Sequence, residues 1–159
     1  MAEAYYGLGL VKLSLNDYQE ALKDLQQASS LNPDDCRFWY ALGNALRLME
    51  RYQEALGAYE QVIQIQYDFA EAHLEIARVK KRLSNYSEAI THYQKAMELK
   101  EDFNRDVSIW YELGCVYYEI KCYHEAAYAF QQASLIDSND YIALYALGLA
   151  YKQLRLWEQ

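Results

Sequence analysis

Residues 39–62 read WYALGNALRLMERYQEALGAYEQV, and the arrangement of small and large side chains in this stretch recurs along the chain. The small residue at position 43 has counterparts at spacings of 34, 34, 37 and 34 residues, which gives the column Gly9, Gly43, Ala77, Gly114 and Gly148. A second small column follows twelve residues later in four copies: Ala21, Ala55, Ala89 and Ala126. A period near 34 residues is typical of repeat architectures, in which each unit buries its apolar face only against its neighbours. The chain is therefore predicted to be a stack of units.

Each copy has the pattern of two helices joined by a turn. An apolar residue directly precedes the first small column, and a mostly aromatic column lies three residues earlier, so both fall on one helical face. A tyrosine column opens the second helix of each copy: Tyr18, Tyr52, Tyr86 and Tyr123. Asn16 with Asp17, and Ser84 with Asn85, are predicted to supply N-caps and Asx-type turns between the helices. The predicted fold class is all-α.

This combination of an aromatic residue, two spacers, Leu-Gly, a tyrosine and the second small residue resembles the tetratricopeptide repeat (TPR) family. The clearest copies are Trp39 to Gly43 with Tyr52, Ala55 and Tyr59, and Trp110 to Gly114 with Tyr123, Ala126, Phe130 and Ala133. Departures from the family pattern are His73 and Leu144 at the aromatic position, Val62 in the last alanine column, and Tyr67, Glu101 and Ser138 where the family often has proline. The resemblance implies a right-handed α-α superhelix, a TPR solenoid, of four helix-turn-helix repeats plus a partial fifth.

The repeats are predicted at residues 2–35, 36–69, 70–106 and 107–140, with a partial repeat at 141–159, and together they form a single solenoid domain over 1–159. Asn104, Arg105 and Asp106 are the three extra residues of the third repeat. Since three residues are close to one helical turn, we expect a longer second helix there; a looser loop is the alternative.

The C-terminal end is expected to expose an apolar face. Leu147, Tyr151, Leu154 and Trp157 would face a second helix that the sequence does not contain, and solenoids normally protect such a surface. We expect the chain to be a fragment of a longer protein, and the alternative is a homodimer formed through this end.

Composition and motifs favour a non-catalytic protein of the cytoplasm. The net charge of −8 argues against nucleic-acid binding, and no apolar run is long enough for membrane insertion. Cys36, Cys115 and Cys122 are odd in number and lack metal-type spacing, which suits a reducing compartment. His73, His92 and His124 form no pair at ligand spacing, so neither a metal site, a cofactor nor a catalytic residue is expected.

The resemblance implies a concave groove, lined by the first helices, that receives a peptide. The column Tyr6, Tyr40, Leu74, Tyr111 and Tyr145 forms an apolar ladder with hydroxyl groups, which serves either binding or packing against the next repeat. Asn44 is suited to a peptide backbone, and Arg47, Arg78 and Lys81 to an acidic side chain or phosphate. The predicted groove residues are Tyr6, Tyr40, Asn44, Arg47, Leu74, Arg78, Lys81, Tyr111, Tyr118 and Tyr145.

The leading functional prediction is a non-catalytic scaffold or adaptor that binds a peptide segment of a partner protein in this groove and helps to assemble a complex. One alternative is the recognition arm of a larger enzyme such as a glycosyltransferase or a protein phosphatase. Another is a homo-oligomerisation module. Chaperone C-terminal tails are not expected as ligands, because Glu71 and Glu75 stand where the family's carboxylate clamp has cations.

Overall fold

The computed structural model describes residues 1–157, with the side chains of residues 156 and 157 outside the described part. Over this range the chain is helical and without strands, so the all-α prediction is confirmed. The helices are α1 (Ala2–Ser14), α2 (Tyr18–Leu31), α3 (Cys36–Leu48), α4 (Tyr52–Ile65), α5 (Ala70–Arg82), α6 (Tyr86–Leu99), α7 (Val107–Glu119), α8 (Tyr123–Ile136) and α9 (Tyr141–Trp157). A 3-10 helix, Glu101–Arg105, lies between α6 and α7.

The chain divides into two compact units, residues 1–79 and the remainder from residue 80 onward, and the boundary falls within α5. In the first unit the paired helices meet at the small residues that define the repeat. Ala21 and Ala55 are fully buried, and a Cβ added at Gly43 would lie 2.5 Å from the ring of Tyr59. The absence of a side chain at Gly43 therefore lets α3 pack directly on the ring of Tyr59 in α4.

The second unit repeats this packing with other side chains. A Cβ at Gly114 would lie 2.6 Å from the ring of Phe130, which is buried beside the fully buried Ala126. Ala146 and Ala150 of α9 complete this core, and Leu147 and Leu154 pack against it while remaining half-buried. Tyr151 is 48% exposed, and the side chain of Trp157 lies outside the described residues.

The turns after α1, α3, α5 and α7 share one backbone motif. In each turn a residue other than glycine adopts a left-handed conformation: Asn16, Glu50, Ser84 and Lys121, with φ between 59° and 64°. Lys121 donates its N–H to the carbonyl of Tyr118, and Cys122 donates to the carbonyl of Tyr117, which is the hydrogen-bond pattern of a Schellman motif. The first helices of the repeats thus end by capping their own carbonyl groups.

The predicted side-chain caps are found in only one of the two turns. Asp17 accepts a hydrogen bond from the backbone N–H of Glu20 at 3.5 Å, as an N-cap does. Asn85 occupies the N-cap position of α6 but makes no side-chain cap hydrogen bond, so that part of the prediction was wrong. The backbone N–H of Asn85 donates to the carbonyl of Lys80, which closes the Schellman turn at the end of α5.

The expectation of a longer second helix in the third repeat was also wrong. α6 has 14 residues, the same as α2, α4 and α8. The additional residues fall in the connection to α7, where residues 101–105 form the 3-10 helix. Its position is fixed by the Asn104 side chain, which donates to the carbonyl of Met97 at 3.0 Å.

The aromatic position of the first helix has a hydrogen-bonding role that the sequence pattern did not indicate. Trp39 donates its indole N–H to the carbonyl of Pro33 at 2.8 Å, and Trp110 donates in the same way to Asn104 at 2.9 Å. His73, at the equivalent position, has Nε2 3.0 Å from the carbonyl of Tyr67. Because a carbonyl oxygen only accepts, Nε2 is the protonated nitrogen. The histidine therefore replaces tryptophan and keeps a ring N–H donor for the preceding loop.

Candidate functional site

Three charged groups meet in the first unit, and two of them, Arg47 and Arg78, are predicted groove residues. Arg78 of α5 donates through Nη1 to Oε1 of Glu75 at 2.8 Å, and Nε of Arg47 in α3 lies 2.9 Å from Oε2 of the same carboxylate. The second contact is an ion pair without hydrogen-bond alignment. The Glu75 side chain is 9% exposed, whereas Arg47 and Arg78 are 34% and 31% exposed. A buried carboxylate therefore holds two half-buried guanidinium groups.

Polar groups of α3 and α4 extend this cluster. Tyr59 is fully buried, and its hydroxyl donates to Oδ1 of Asn44 at 2.7 Å. Burial and the nearby Glu75 carboxylate raise the pKa of Tyr59 well above its usual value. Burial also raises the pKa of Tyr40, whose ring lies 5.9 Å from that of Tyr59. The carbonyl end of the Asn44 amide is therefore already engaged within the protein.

The second unit has a related cluster around Glu112 of α7. Tyr93 of α6 donates its hydroxyl to Oε2 of Glu112 at 2.8 Å, and Nζ of Lys81 lies 3.9 Å from the same oxygen. Glu112 occupies the same place in its repeat as Glu75, directly after the tyrosine ladder column. In each unit a carboxylate therefore lies beside basic side chains that the sequence predicted to bind a ligand.

The predicted ladder residues differ widely in their surroundings. In the first unit the ring of Tyr6 lies 5.0 Å from that of Phe38, the ring of Tyr40 lies 5.2 Å from that of Phe69, and Leu74 is 6% exposed. In the second unit the rings of Tyr111 and Phe130 are 5.6 Å apart, and Tyr145 is 70% exposed. Tyr118 is a predicted groove residue outside the ladder; it is half-buried, and its ring lies 5.3 Å from that of Tyr123. Most members therefore pack against a neighbouring ring, and Tyr145 presents the largest free surface.

Sequence reasoning gave no binding role to Glu75 or Glu112. The sequence singled out Glu75 only as a carboxylate at a position where the family's carboxylate clamp has a cation. Their positions in the sequence could have indicated a shared role. Both glutamates directly follow the ladder column in adjacent repeats, so they lie on the same face of their helices. The sequence pattern did not give the distance from either glutamate to a basic side chain on another helix.

Two further classes of site are absent from the described part of the chain. No helix there is both long enough and apolar enough to cross a membrane. No group of three or more His, Cys, Asp or Glu residues is arranged to hold a metal ion within residues 1–157.

Helix-turn-helix units that pack through a small residue every 34 to 37 residues define an α-helical repeat protein. Tetratricopeptide repeat models match residues 6–71, 70–103 and 107–140. The chain belongs to the tetratricopeptide repeat family.

Solved structures with the same fold have little sequence identity to this chain. A crystal structure of MamA is 20% identical with a TM-score of 0.90, covering 98% of this chain and 83% of that chain. MamA from Desulfovibrio magneticus RS-1 is 20% identical with a TM-score of 0.89, covering 97% and 85%. YrrB, described as a TPR protein with an unusual peptide-binding site, is 22% identical with a TM-score of 0.86, covering 98% and 78%. No curated protein sequence matches the chain.

Proposed function

We propose that this chain is a non-catalytic protein-interaction scaffold that binds a peptide segment of a partner protein on its first helices and so helps to assemble a complex. The proposal takes the four predicted repeats and the partial fifth over 1–159 as one solenoid domain acting in the cytoplasm. The observation that supports it best is the cluster around Glu75, where α3 and α5 bring charged and amide side chains together on one half-buried surface.

The chemistry of this cluster suits an acidic side chain or a terminal carboxylate. A guanidinium group has five N–H donors in a planar fork, so Arg47, held by one carboxylate and one-third exposed, retains donors for a second acceptor. Its ion pair with the buried Glu75 limits its rotamers before a ligand arrives, which reduces the entropy lost on binding. Asn44, one turn before Arg47, adds an amide within reach of a peptide backbone.

The comparison with known folds supports the same class of function by analogy. YrrB, which shares the fold, is described as having a peptide-binding site. The function of a repeat fold depends on the side chains of its surface, so the analogy supports the class of ligand and leaves its identity to experiment.

Affinity capture from the native cell extract, with this chain as bait, tests the proposal. The informative variant is Arg47→Gln, because Glu75 keeps its hydrogen bond with Arg78 and no buried carboxylate is orphaned. Arg51→Gln is the matched control, since Arg51 lies at the N-cap of α4 and pairs with Glu54. We expect a partner that the wild-type chain and Arg51→Gln both retain and that Arg47→Gln loses.

The other outcomes separate the alternatives. A partner retained equally by all three baits would refute binding at the Glu75 cluster. Capture of further copies of this chain alone would favour the homo-oligomerisation module. A catalytic domain adjoining these repeats in the parent gene would favour the recognition arm of an enzyme.

A further inference from the structure

A second site lies in the second unit and shares no residue with the Glu112 cluster described above. Residues of α6, α7 and α8, and of the connection from α6 to α7, line a solvent-accessible cavity of about 580 Å³. Its walls include three aromatic rings, Trp110, Tyr117 and Tyr128, and apolar surface comes from Met97 and Leu113. Volume and lining are in the range of pockets that bind small groups.

Hydrogen bonds hold the aromatic walls in place. Trp110 donates its indole N–H to the carbonyl of Asn104 at 2.9 Å, and the Asn104 amide donates to the carbonyl of Met97 at 3.0 Å. Gln94 donates to the hydroxyl of Tyr117 at 3.1 Å. Tyr128 packs edge-on against Trp110 with ring centroids 5.9 Å apart, and its side chain is still 57% exposed. The rings therefore need little reorganisation before a ligand binds.

The rim of this aromatic pocket is acidic. Glu98 and Glu125 both line it and are exposed to solvent. Glu98 is paired with Lys95 at 3.1 Å, whereas Glu125 has no ion-pair partner within the described residues. Residues 107–140 carry one lysine and no arginine against five acidic residues. A cation approaching the pocket meets an attractive field both from the rim and from the surrounding repeat.

We propose that this aromatic pocket binds the side chain of an arginine or lysine from a basic segment of a partner protein. The faces of tryptophan and tyrosine rings attract a cation through their negative π surface, and the attraction is stronger where the site excludes water. The carboxylate of Glu125 adds a charge-assisted hydrogen bond to a guanidinium or ammonium group at the mouth of the pocket. The apolar lining accommodates the methylene stem of the side chain.

Two features distinguish the aromatic pocket from the equivalent positions in the other repeats. Tyr128 is replaced by Gly57 in α4 and by Thr91 in α6, so the exposed aromatic wall belongs to α8. The connection from α6 to α7 spans residues 100–106, whereas the connections after α2 and α4 span 32–35 and 66–69. The longer connection supplies the amide side chain of Asn104, which donates to the carbonyl of Met97.

The test uses NMR titration of the isotopically labelled chain with a short Gly-Ser peptide carrying two arginines, in about 0.15 M salt to screen general attraction. The indole N–H resonance of Trp110 reports on the pocket. Trp39 makes the same type of hydrogen bond in the first unit and serves as an internal control. A peptide with glutamates in place of the arginines is the control for charge.

We expect a saturable shift of the Trp110 resonance with the arginine peptide, a much smaller shift of Trp39, and none with the glutamate peptide. Tyr128→Ala combined with Glu125→Gln should weaken binding roughly tenfold, since it removes an aromatic wall and the rim charge. Tyr141→Ala with Glu119→Gln, both exposed and outside the pocket, should leave the affinity unchanged. Equal shifts of Trp39 and Trp110, or equal weakening by both double variants, would overturn the proposal.

Discussion

Replacement of Gly43 by alanine tests how closely α3 and α4 pack. The added Cβ would lie 2.5 Å from Cε1 and 2.7 Å from Cδ1 of Tyr59, where ordinary contacts are at least 3.4 Å. The ring must therefore retreat by about 1 Å, and it has little room to do so in a close-packed core. Tyr59 is fully buried, and its hydroxyl is held by Asn44.

The size of the effect follows from two opposing terms. Overpacking of this kind destabilises by about 1–3 kcal/mol. The intrinsic helix preference of alanine over glycine returns about 1 kcal/mol. The net change for Gly43→Ala is therefore a loss of roughly 0–2 kcal/mol. Ala77 occupies the same small-residue column as Gly43, so a pair of helices can adjust in part to admit a Cβ at this position.

Gly57→Ala is the matched control that isolates the packing term. Gly57 lies in the middle of α4, and no atom stands within 4 Å of its added Cβ. This variant should gain up to about 1 kcal/mol from helix propensity alone. The two variants should thus differ by about 1–3 kcal/mol, or by roughly 2–12 °C in melting temperature for a chain of this length.

Thermal melting followed by circular dichroism, with urea unfolding for the free-energy scale, measures the difference. If Gly43→Ala stabilises the chain as much as Gly57→Ala does, the close packing of α3 on Tyr59 is refuted. The same result would undermine the assignment of the first small column to helix contacts.

Three further predictions rest on single residues. Lys121→Gly should raise stability by about 1 kcal/mol, because the left-handed φ of 64° costs lysine energy and costs glycine none; an unchanged urea midpoint would contradict this. Glu75→Gln should lower the free energy of unfolding by about 1–2 kcal/mol, because it leaves Arg47 and Arg78 without their carboxylate, and their partial exposure keeps the loss below that of a fully buried pair. The raised pKa of Tyr59 means that its phenol ionises at lower pH in the unfolded chain, so the melting temperature should fall as the pH rises above about 10, and Tyr59→Phe should show a smaller fall.

Local chemistry explains why so much of the fold was predictable. Gly9, Gly43 and Gly114 all lie where a second helix comes close, because a residue without a side chain leaves room for that approach. The interval of four helix residues between Trp39 and Gly43 fixes their shared face whatever the rest of the chain does. Such information is contained in each repeat and needs no knowledge of distant residues.

The errors arose where several local solutions had similar energies. Three extra residues fit either one more helical turn or a short 3-10 helix, and the contact of Asn104 with the carbonyl of Met97 accompanies the second solution. Asn85 occupies the N-cap position of α6 as the sequence predicts, but its side chain makes no cap hydrogen bond, and nothing in the structure explains why it differs from Asp17. In the third repeat, a hydrogen bond outside the sequence pattern thus accompanies the outcome.

The sequence by itself determined the helical class, the repeat period and the faces on which Arg47, Arg78 and Lys81 lie, because helical periodicity is a property of neighbouring residues. Only the tertiary structure decided that Glu75 lies beside Arg47 of α3 and Glu112 beside Lys81 of α5, and that Trp110, Tyr117 and Tyr128 line one pocket. Ion pairing and cavity formation depend on distances between side chains of different helices. Those distances are set by how the helices pack, which the residue pattern of one helix does not specify.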